Sequence, residues 1–217
     1  MSGAYVFLGP PASGKGTQAK QLSEKLNIPH VALGDLLRDA VRRGTELGKQ
    51  AKGFMEKGKL VPDDITISLA KERFSRDDCK GGFIVDGFPR TLKQAEAFEE
   101  LLKSLGFELG AVIYINISME TAVSRLSGRR SCKRCGAVYH VTFNPSKKGD
   151  RCDRCGGELY QRHDDEEDVI KTRFSVYEKE TLPLVKHFTS LGKLAEVSGE
   201  ESVDKVQSAM LSSLKLS

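Results

Sequence analysis

A chain of 217 residues, 39% of them hydrophobic, can bury one large core and still carry small inserted lobes. Its net charge of +4 is mild and suits anionic small molecules as readily as nucleic acid. No run approaches the length of about 18 apolar residues that a membrane helix needs, and no basic segment followed by a signal-type apolar run opens the chain, so the expected compartment is the cytoplasm.

The apolar run Ala4-Tyr5-Val6-Phe7-Leu8 reads as a buried strand. Gly9-Pro10-Pro11-Ala12-Ser13-Gly14-Lys15-Gly16-Thr17 follows, and then a helical pattern to Leu26 with Ala19, Leu22 and Leu26 on one face. Strand, glycine-bounded loop and helix in that order predict a phosphate-binding loop. Its backbone N–H groups and the helix N-terminus face the phosphates, and Lys15 adds a full charge. The hydroxyl that can reach magnesium comes one residue late, at Thr17, because Gly16 occupies the usual slot. Asn27 to His30 is a turn and Val31-Ala32-Leu33 a short apolar piece. Leu36 to Val41 is predicted helical, with Asp35 able to cap it. From Arg42 to Pro62, glycine, lysine and glutamate predominate, which predicts a small helical excursion off the core. Pro62-Asp63-Asp64 suits the first turn of another helix.

Gly82 to Asp86 is a further buried strand ending on a carboxylate, Thr91 to Leu105 a helix capped at both ends, and Ala111 to Ile115 another strand. Met119 to Leu126 is helical. Residues 128–165 hold four cysteines, several glycines and many charges but little that could fill a core, so they form an inserted lobe. Asp168 to Leu191 is one long helical pattern, Lys193 to Val197 a strand and Val203 to Leu214 a last helix. Short apolar strands alternating with amphipathic helices predict an α/β fold, a P-loop NTPase-like parallel sheet flanked by helices. Ligands gather at the carboxyl ends of such strands, where Gly9 and Asp86 stand. Asp86 there can orient magnesium, and Arg90, after the rigid Phe88-Pro89 turn, offers a fixed fork to phosphate oxygens.

Cys132-x-x-Cys135 and Cys152-x-x-Cys155 are separated by 16 residues, a strong zinc signal. Four thiolates close a tetrahedral shell and leave no open position, so the site is structural and not catalytic. Bound metal substitutes for a core in a lobe too small to have one. Disulfides and free thiols are the alternatives, the first disfavoured by the compartment and the second by the paired spacing. Cys79 stands alone and reads as a buried or partly buried thiol.

Gly-x-Pro-x-x-Gly-Lys-Gly-Thr-Gln at 9–18, paired with Asp-Gly-Phe-Pro-Arg at 86–90, resembles the adenylate kinase family. Gly34-Asp35-Leu36-Leu37-Arg38 resembles the start of its monophosphate-binding lobe, and Gly58-Lys59-Leu60-Val61-Pro62-Asp63 its end. Gln94 stands four residues after Arg90, as in members that read adenine. Gly128-Arg129-Arg130, Val138-Tyr139-His140, Phe143-Asn144-Pro145, Arg162-x-Asp164-Asp165 and Arg173 resemble the lid and its exit. The resemblance covers residues 4 to about 190, and some members of the family carry a zinc lid of this kind.

The resemblance implies reversible transfer of the terminal phosphoryl group from MgATP to AMP, giving two ADP. It implies a core of residues 1–31, 62–127 and 166–217, a monophosphate-binding lobe of 32–61 and a zinc-bearing lid of 128–165. ATP would be held by Ala12, Ser13, Gly14, Lys15, Gly16, Thr17, Arg125, Arg129, Val138 and Tyr139. AMP would be held by Leu33, Arg38, Lys59, Leu60, Val61, Gly87, Phe88, Pro89, Arg90, Gln94, Arg162 and Arg173. Lys15, Arg90, Arg125, Arg129, Arg162 and Arg173 would carry the transfer, with Mg2+ near Thr17 and Asp86 and Zn2+ on Cys132, Cys135, Cys152 and Cys155. The implied partners are ATP, AMP and ADP, with no nucleic acid and no membrane, for a protein working as a monomer.

The chemistry makes the same demands. Two nucleotides bring many anionic oxygens together, so cations must converge on them. Arg42, Arg43 and Arg76 fall outside the matched motifs and read as solvated surface charges. The acceptor is a phosphate oxygen, ionised near neutral pH, so no general base is expected. Water must be excluded, and lobes closing at 32–61 and 128–165 would do that. Two positions depart from the family pattern. Leu33 replaces a threonine beside the monophosphate base, which leaves room for a UMP/CMP kinase, whereas Gln94 argues for adenine. Ala12 replaces a loop glycine, at a cost of about 1 kcal/mol if the position needs positive φ and none otherwise. A zinc-ribbon nucleic-acid binder is the other class considered; the ribbon has only Tyr139, Phe143 and Tyr160 for stacking on bases.

Overall fold

Two-residue alternation sorts the strand side chains onto the two faces of a sheet. The computed structural model describes residues 3–216. Strand β1 (Gly3–Leu8) leads into helix α1 (Lys15–Leu26) and strand β2 (His30–Ala32). Then come α2 (Leu33–Arg43), α3 (Glu46–Glu56), α4 (Asp63–Phe74), β3 (Phe83–Asp86) and α5 (Leu92–Leu105). Strand β4 (Glu108–Asn116) and α6 (Met119–Ser127) follow. The short strands β5 (Arg129–Cys132), β6 (Val138–His140) and β7 (Leu159–Tyr160) make the inserted lobe. The chain ends with α7 (Glu167–Val176), α8 (Pro183–Ser190), β8 (Leu194–Ser198) and α9 (Val203–Ser213).

Five parallel strands form the main sheet in the order β2-β3-β1-β4-β8. Val6 of β1 pairs with Val85 on one side and Val112 on the other. Val6, Val85 and Val112 pack into one core with Phe74, Phe88 and Phe98, while Phe7, Ile84, Ile113 and Ile115 pack into a second core with α1 and α9. Each such side chain, fully buried, contributes about 1.5–3 kcal/mol. The chain winds to one side of β1 as far as β3 and to the other from β4 onward. That reversal opens a crevice at the carboxyl ends of the strands.

The excursion between β2 and α4 is a helix pair with its own small core of Leu37, Ala51 and Val61. Thr45 caps α3 by accepting from the Gly48 N–H at 3.1 Å. A Cβ on Gly48 would lie 2.1 Å from the Ala40 carbonyl oxygen, so only glycine lets α2 and α3 approach this closely. The inserted lobe is a three-stranded antiparallel sheet in the order β6-β5-β7. No helix among the described residues is long and apolar enough to cross a membrane.

The structure corrects three sequence expectations. His30–Ala32 is a true sheet strand, paired with β3. Helix α2 begins at Leu33, so Asp35 is not its cap: it lies in the first turn and pairs with Arg38. The pattern from 168 to 191 is not one helix. Pro183 cannot donate to the preceding turn, and the ladder widens over Tyr177–Thr181 before α8 starts. The Phe88 side chain packs in the core, its ring 5.7 Å from that of Phe98, so any contact Phe88 makes at the AMP site is through its backbone.

Candidate functional site

Residues 9–14 turn back through positive φ at Gly9 (146°), Ala12 (63°) and Gly14 (95°). A Cβ on Gly9 would fall 2.2 Å from the Ile115 carbonyl oxygen. Ala12 thus does occupy a left-handed conformation, which costs an L-residue about 1–2 kcal/mol. Among the described residues no side chain caps α1, which leaves its first N–H groups open to an anion. The Lys15 ammonium folds over the loop and donates to the carbonyls of Gly9 (2.8 Å) and Pro10 (2.7 Å) and to Ser13 Oγ (3.3 Å). Burial pushes it down to about 8; Asp86 pulls it up, while Arg90, Arg173 and Arg129 push it down further.

Asp86 ends β3 beside this loop, and a Cβ on Gly16 would sit 3.3 Å from its Oδ2. Burial works against the Asp86 carboxylate, but His30, Lys15 and Arg90 outweigh it and hold the carboxyl below the usual range. His30 Nε2 lies 3.7 Å from Asp86 Oδ2, buried and unpartnered. With the exposed Thr17 hydroxyl on the same cavity, the ionised Asp86 carboxylate gives oxygen donors suited to a hydrated magnesium ion.

Six arginines ring the loop, each held by a named partner. Arg38 donates to Asp35 Oδ1 at 2.5 Å, and the Asp35, Asp164 and Asp86 charges outweigh its burial and raise its pKa. Arg90 Nε donates to the Gly87 carbonyl at 2.8 Å. Arg125 reaches the carbonyls of Gly199 (2.8 Å) and Ala12 (3.4 Å). Arg129 forms a two-pronged pair with Asp165, its Nε 2.7 Å from Oδ2. Arg173 donates to the Asp164 carbonyl (2.8 Å) and to Asp165 Oδ1 (3.1 Å). Arg162 Nε donates to Ser131 Oγ at 2.7 Å. Burial pushes both Arg162 and Arg173 down to about 10. Desolvated cations facing one another favour an anion between them.

Lys15, Thr17, His30, Asp86 and the six arginines line one cleft of about 1620 Å3. A single small-molecule pocket takes about 300–1,000 Å3, so this one has room for two nucleotides. Every residue expected at the nucleotides lines it except Phe88. Leu33, Lys59, Leu60, Val61, Gly87, Pro89 and Gln94 form the end near α2 and α4. Gln94 is already engaged: Oε1 accepts from the Arg90 N–H (2.8 Å), and Nε2 donates to Asp63 Oδ1 (2.7 Å) and Thr66 Oγ1 (3.0 Å). Gln94 therefore does not offer a base both a donor and an acceptor; only the second lone pair of Oε1 is left. Val138 and Tyr139 line the far end, but the Tyr139 hydroxyl turns away to Cys152 Sγ, at 3.4 Å.

The four cysteine sulfurs lie within 4.8 Å of one another. Cys132 and Cys155 are 3.4 Å apart, Cys135 and Cys152 3.6 Å. A tetrahedron with metal–sulfur bonds of about 2.3 Å has edges of about 3.8 Å, so this donor set fits zinc. The N–H groups of Arg134 and Cys135 point at Cys132 Sγ, and a Cβ on Gly157 would come within 2.9 Å of that sulfur. Tyr139 accepts from the Asp153 N–H, so its own proton goes to Cys152, whose thiol it holds down to about 6. Cys79 is fully buried away from this cluster, against Arg73.

The adenylate kinase family profile matches residues 7–193. An adenylate kinase of Archaeoglobus fulgidus is 51% identical over 201 residues, covering 93% of both chains. Adenylate kinases of Methanocella arvoryzae and Bacillus cytotoxicus are also 51% identical, over 93% of this chain and 94% and 93% of theirs. The chain belongs to the adenylate kinase family. The adenylate kinase match takes in the loop, both excursions and all six arginines. Two groups in this adenylate kinase site escaped the sequence reading, His30 beside Asp86 and Ser131 behind Arg162, and Asp165, read only as part of the Arg162-x-Asp164-Asp165 motif, serves both Arg129 and Arg173. The paired Asp164-Asp165 was the one available signal; a lone histidine or serine at a strand position gives none.

Proposed function

We propose that this adenylate kinase transfers the terminal phosphoryl group of MgATP to AMP, giving two ADP, through the side chains gathered at the loop. One observation carries the reading: Arg90, Arg129 and Arg173 stand close enough to Lys15, and Arg90 and Arg129 to Arg173, to add to the burial that lowers both, and all four line a cleft large enough for two nucleotides. ATP phosphates lie on the loop from Ala12 to Thr17, with Lys15 at the outer oxygens and Arg125 and Arg129 above. The AMP phosphate lies on Arg38 and Arg90, and its base lies between Leu33 and Gln94. Arg162 and Arg173 bridge the group in transfer. Magnesium, held near Thr17 and Asp86, supplies charge neutralisation at the phosphate oxygens. The acceptor oxygen is already ionised, so the chain needs no base; it orients the two phosphates and excludes water with the lobes 32–61 and 128–165.

Zinc on the four cysteines shapes the lid. A reducing cytoplasm keeps those thiols available, and one copy carries every cation the transfer uses, which supports a monomer with ATP, AMP and ADP as its only partners. The Gln94 lone pair suits a 6-amino group and opposes a 6-keto oxygen.

A coupled assay with AMP, IMP, UMP and CMP tests the reading. AMP should be preferred over IMP and UMP by about tenfold or more in kcat/KM, since an acceptor left facing an acceptor costs about 1–3 kcal/mol, whereas CMP, which also carries a ring amino group, is set apart only by the smaller size of its base. Lys15→Met should lower kcat about 100-fold in a folded protein. Equal rates on UMP would remove the adenine assignment, and near-normal turnover of the lysine variant would remove the phosphate-loop assignment.

A further inference from the structure

Arg42, expected to be a solvated helix charge, instead bridges the two lobes. From the last turn of α2 its Nη1 donates to the carbonyls of Lys133 (3.0 Å) and Arg134 (3.3 Å), across 91 and 92 residues of chain. Both carbonyls lie inside the first cysteine hook, Cys132-Lys133-Arg134-Cys135. The N–H groups of the same two peptide units, those of Arg134 and Cys135, point to Cys132 Sγ. Each peptide group therefore runs from guanidinium to sulfur, its oxygen on the cation and its N–H on the thiolate. Hydrogen bonds at the two ends of one amide polarise and reinforce each other. Asp39 pairs with Arg42 from one turn earlier and orients it; Arg43 shares Asp39 at 2.8 Å, but among the described residues only Arg42 of that pair reaches the hook.

We propose that Arg42 is a positioning residue that latches the monophosphate lobe to the cysteine hook of the lid, coupling closure over AMP to closure over ATP. This rests on the reading that the two lobes close around nucleotides. The contact exists only when α2 and the hook are brought together, as they are in this structure. The latch lowers the free energy of the closed form and leaves the folding of the helix pair to its own core and that of the inserted lobe to its cysteine cluster.

The test uses the metal-loaded, full-length protein. Donor and acceptor dyes at the exposed positions Lys52 and Lys147 report the lobe separation by single-molecule energy transfer, with AMP and a non-hydrolysable ATP analogue as ligands. In Arg42→Ala the ratio of closed to open molecules should fall about three- to tenfold, the range for one net hydrogen-bonded contact whose charge solvent screens at the surface. KM for AMP should rise by a similar factor, kcat should not fall, and the melting temperature should stay that of the parent. Arg43→Ala, which removes a partner of Asp39 without touching the hook, should match the parent in all four readouts. An Arg42→Ala protein with parental closure and KM overturns the latch. So does an Arg43→Ala protein that shifts as much as Arg42→Ala, since the effect then belongs to α2 itself. A parent whose dye separation ignores both nucleotides overturns the closure reading, and the latch with it.

Discussion

Burial pushes the Lys15 ammonium down to about 8 even though Asp86 pulls the other way. Between about pH 8 and the ordinary lysine range near 10.4, the unfolded chain binds a proton here that the folded chain does not. This group therefore adds stability to the nucleotide-free protein as pH rises through that window, and opposes folding below it. ATP binding runs in the opposite direction, because an anion needs the protonated form. Calorimetric titration at pH 7, 8 and 9 should show ATP affinity falling by up to about tenfold per unit above pH 8. Lys15→Met should abolish that slope, and a flat profile in the parent would place the lysine outside the phosphate contact. Residue chemistry was largely legible from the sequence, because loop geometry constrains residue type at each step. Environment was not. Ala12 could be read as harmless until its φ of 63° was seen, and Gln94 reads as a free amide until Asp63, Thr66 and the Arg90 N–H engage it.

The α2–α3 pair shows how one residue sets the geometry of an element. Gly48 touches the backbone of Ala40, so Gly48→Ala must push α3 off α2, and overpacking of this kind costs about 1–3 kcal/mol. The expected outcome is a melting temperature lower by at least about 2 °C and a KM for AMP raised severalfold, with KM for ATP little changed, because the displaced elements carry Arg38 and lead to Lys59. Thermal melts and initial-rate kinetics decide it; parental values for both would mean that the contact is relieved without cost. Long amphipathic helices such as α5, capped by Thr91 and ended by Gly106, are visible in the sequence because periodicity and caps agree. Strand β2 is three residues long and shows no alternation to detect. The turn at Tyr177–Thr181 is hidden because the apolar pattern runs on to Leu191 and only Pro183 interrupts it. The inserted strands β5 to β7 are short and polar, and what they bury is the cysteine cluster and Tyr139 instead of an apolar face.

At the scale of the whole molecule, the main sheet supports itself with two cores and the lid does not. Among the described residues the one cluster buried in the inserted lobe is Cys132, Tyr139 and Cys152, flanked by Ala137, Cys155 and Leu159, so prospective metal ligands are two of its three buried members. Removing a metal held there should therefore loosen β5, β6 and β7 and leave the five-stranded sheet intact. Protein purified without chelator should contain one zinc per chain. Stripping it should lower the melting temperature and raise hydrogen exchange across 129–160, with exchange in β1, β3 and β4 unchanged. Tyr139→Phe keeps the ring but loses the proton given to Cys152 and the oxygen that accepts from Asp153, and should weaken metal affinity by about 10–100-fold. Activity should fall only as far as lid closure is impaired, because four sulfurs leave no position for a phosphate oxygen, and magnesium should remain the one ion that turnover requires. A purified protein with no bound metal would remove the site. A metal-free protein that kept its melting temperature and lid protection but lost activity would move the ion from scaffold to chemistry.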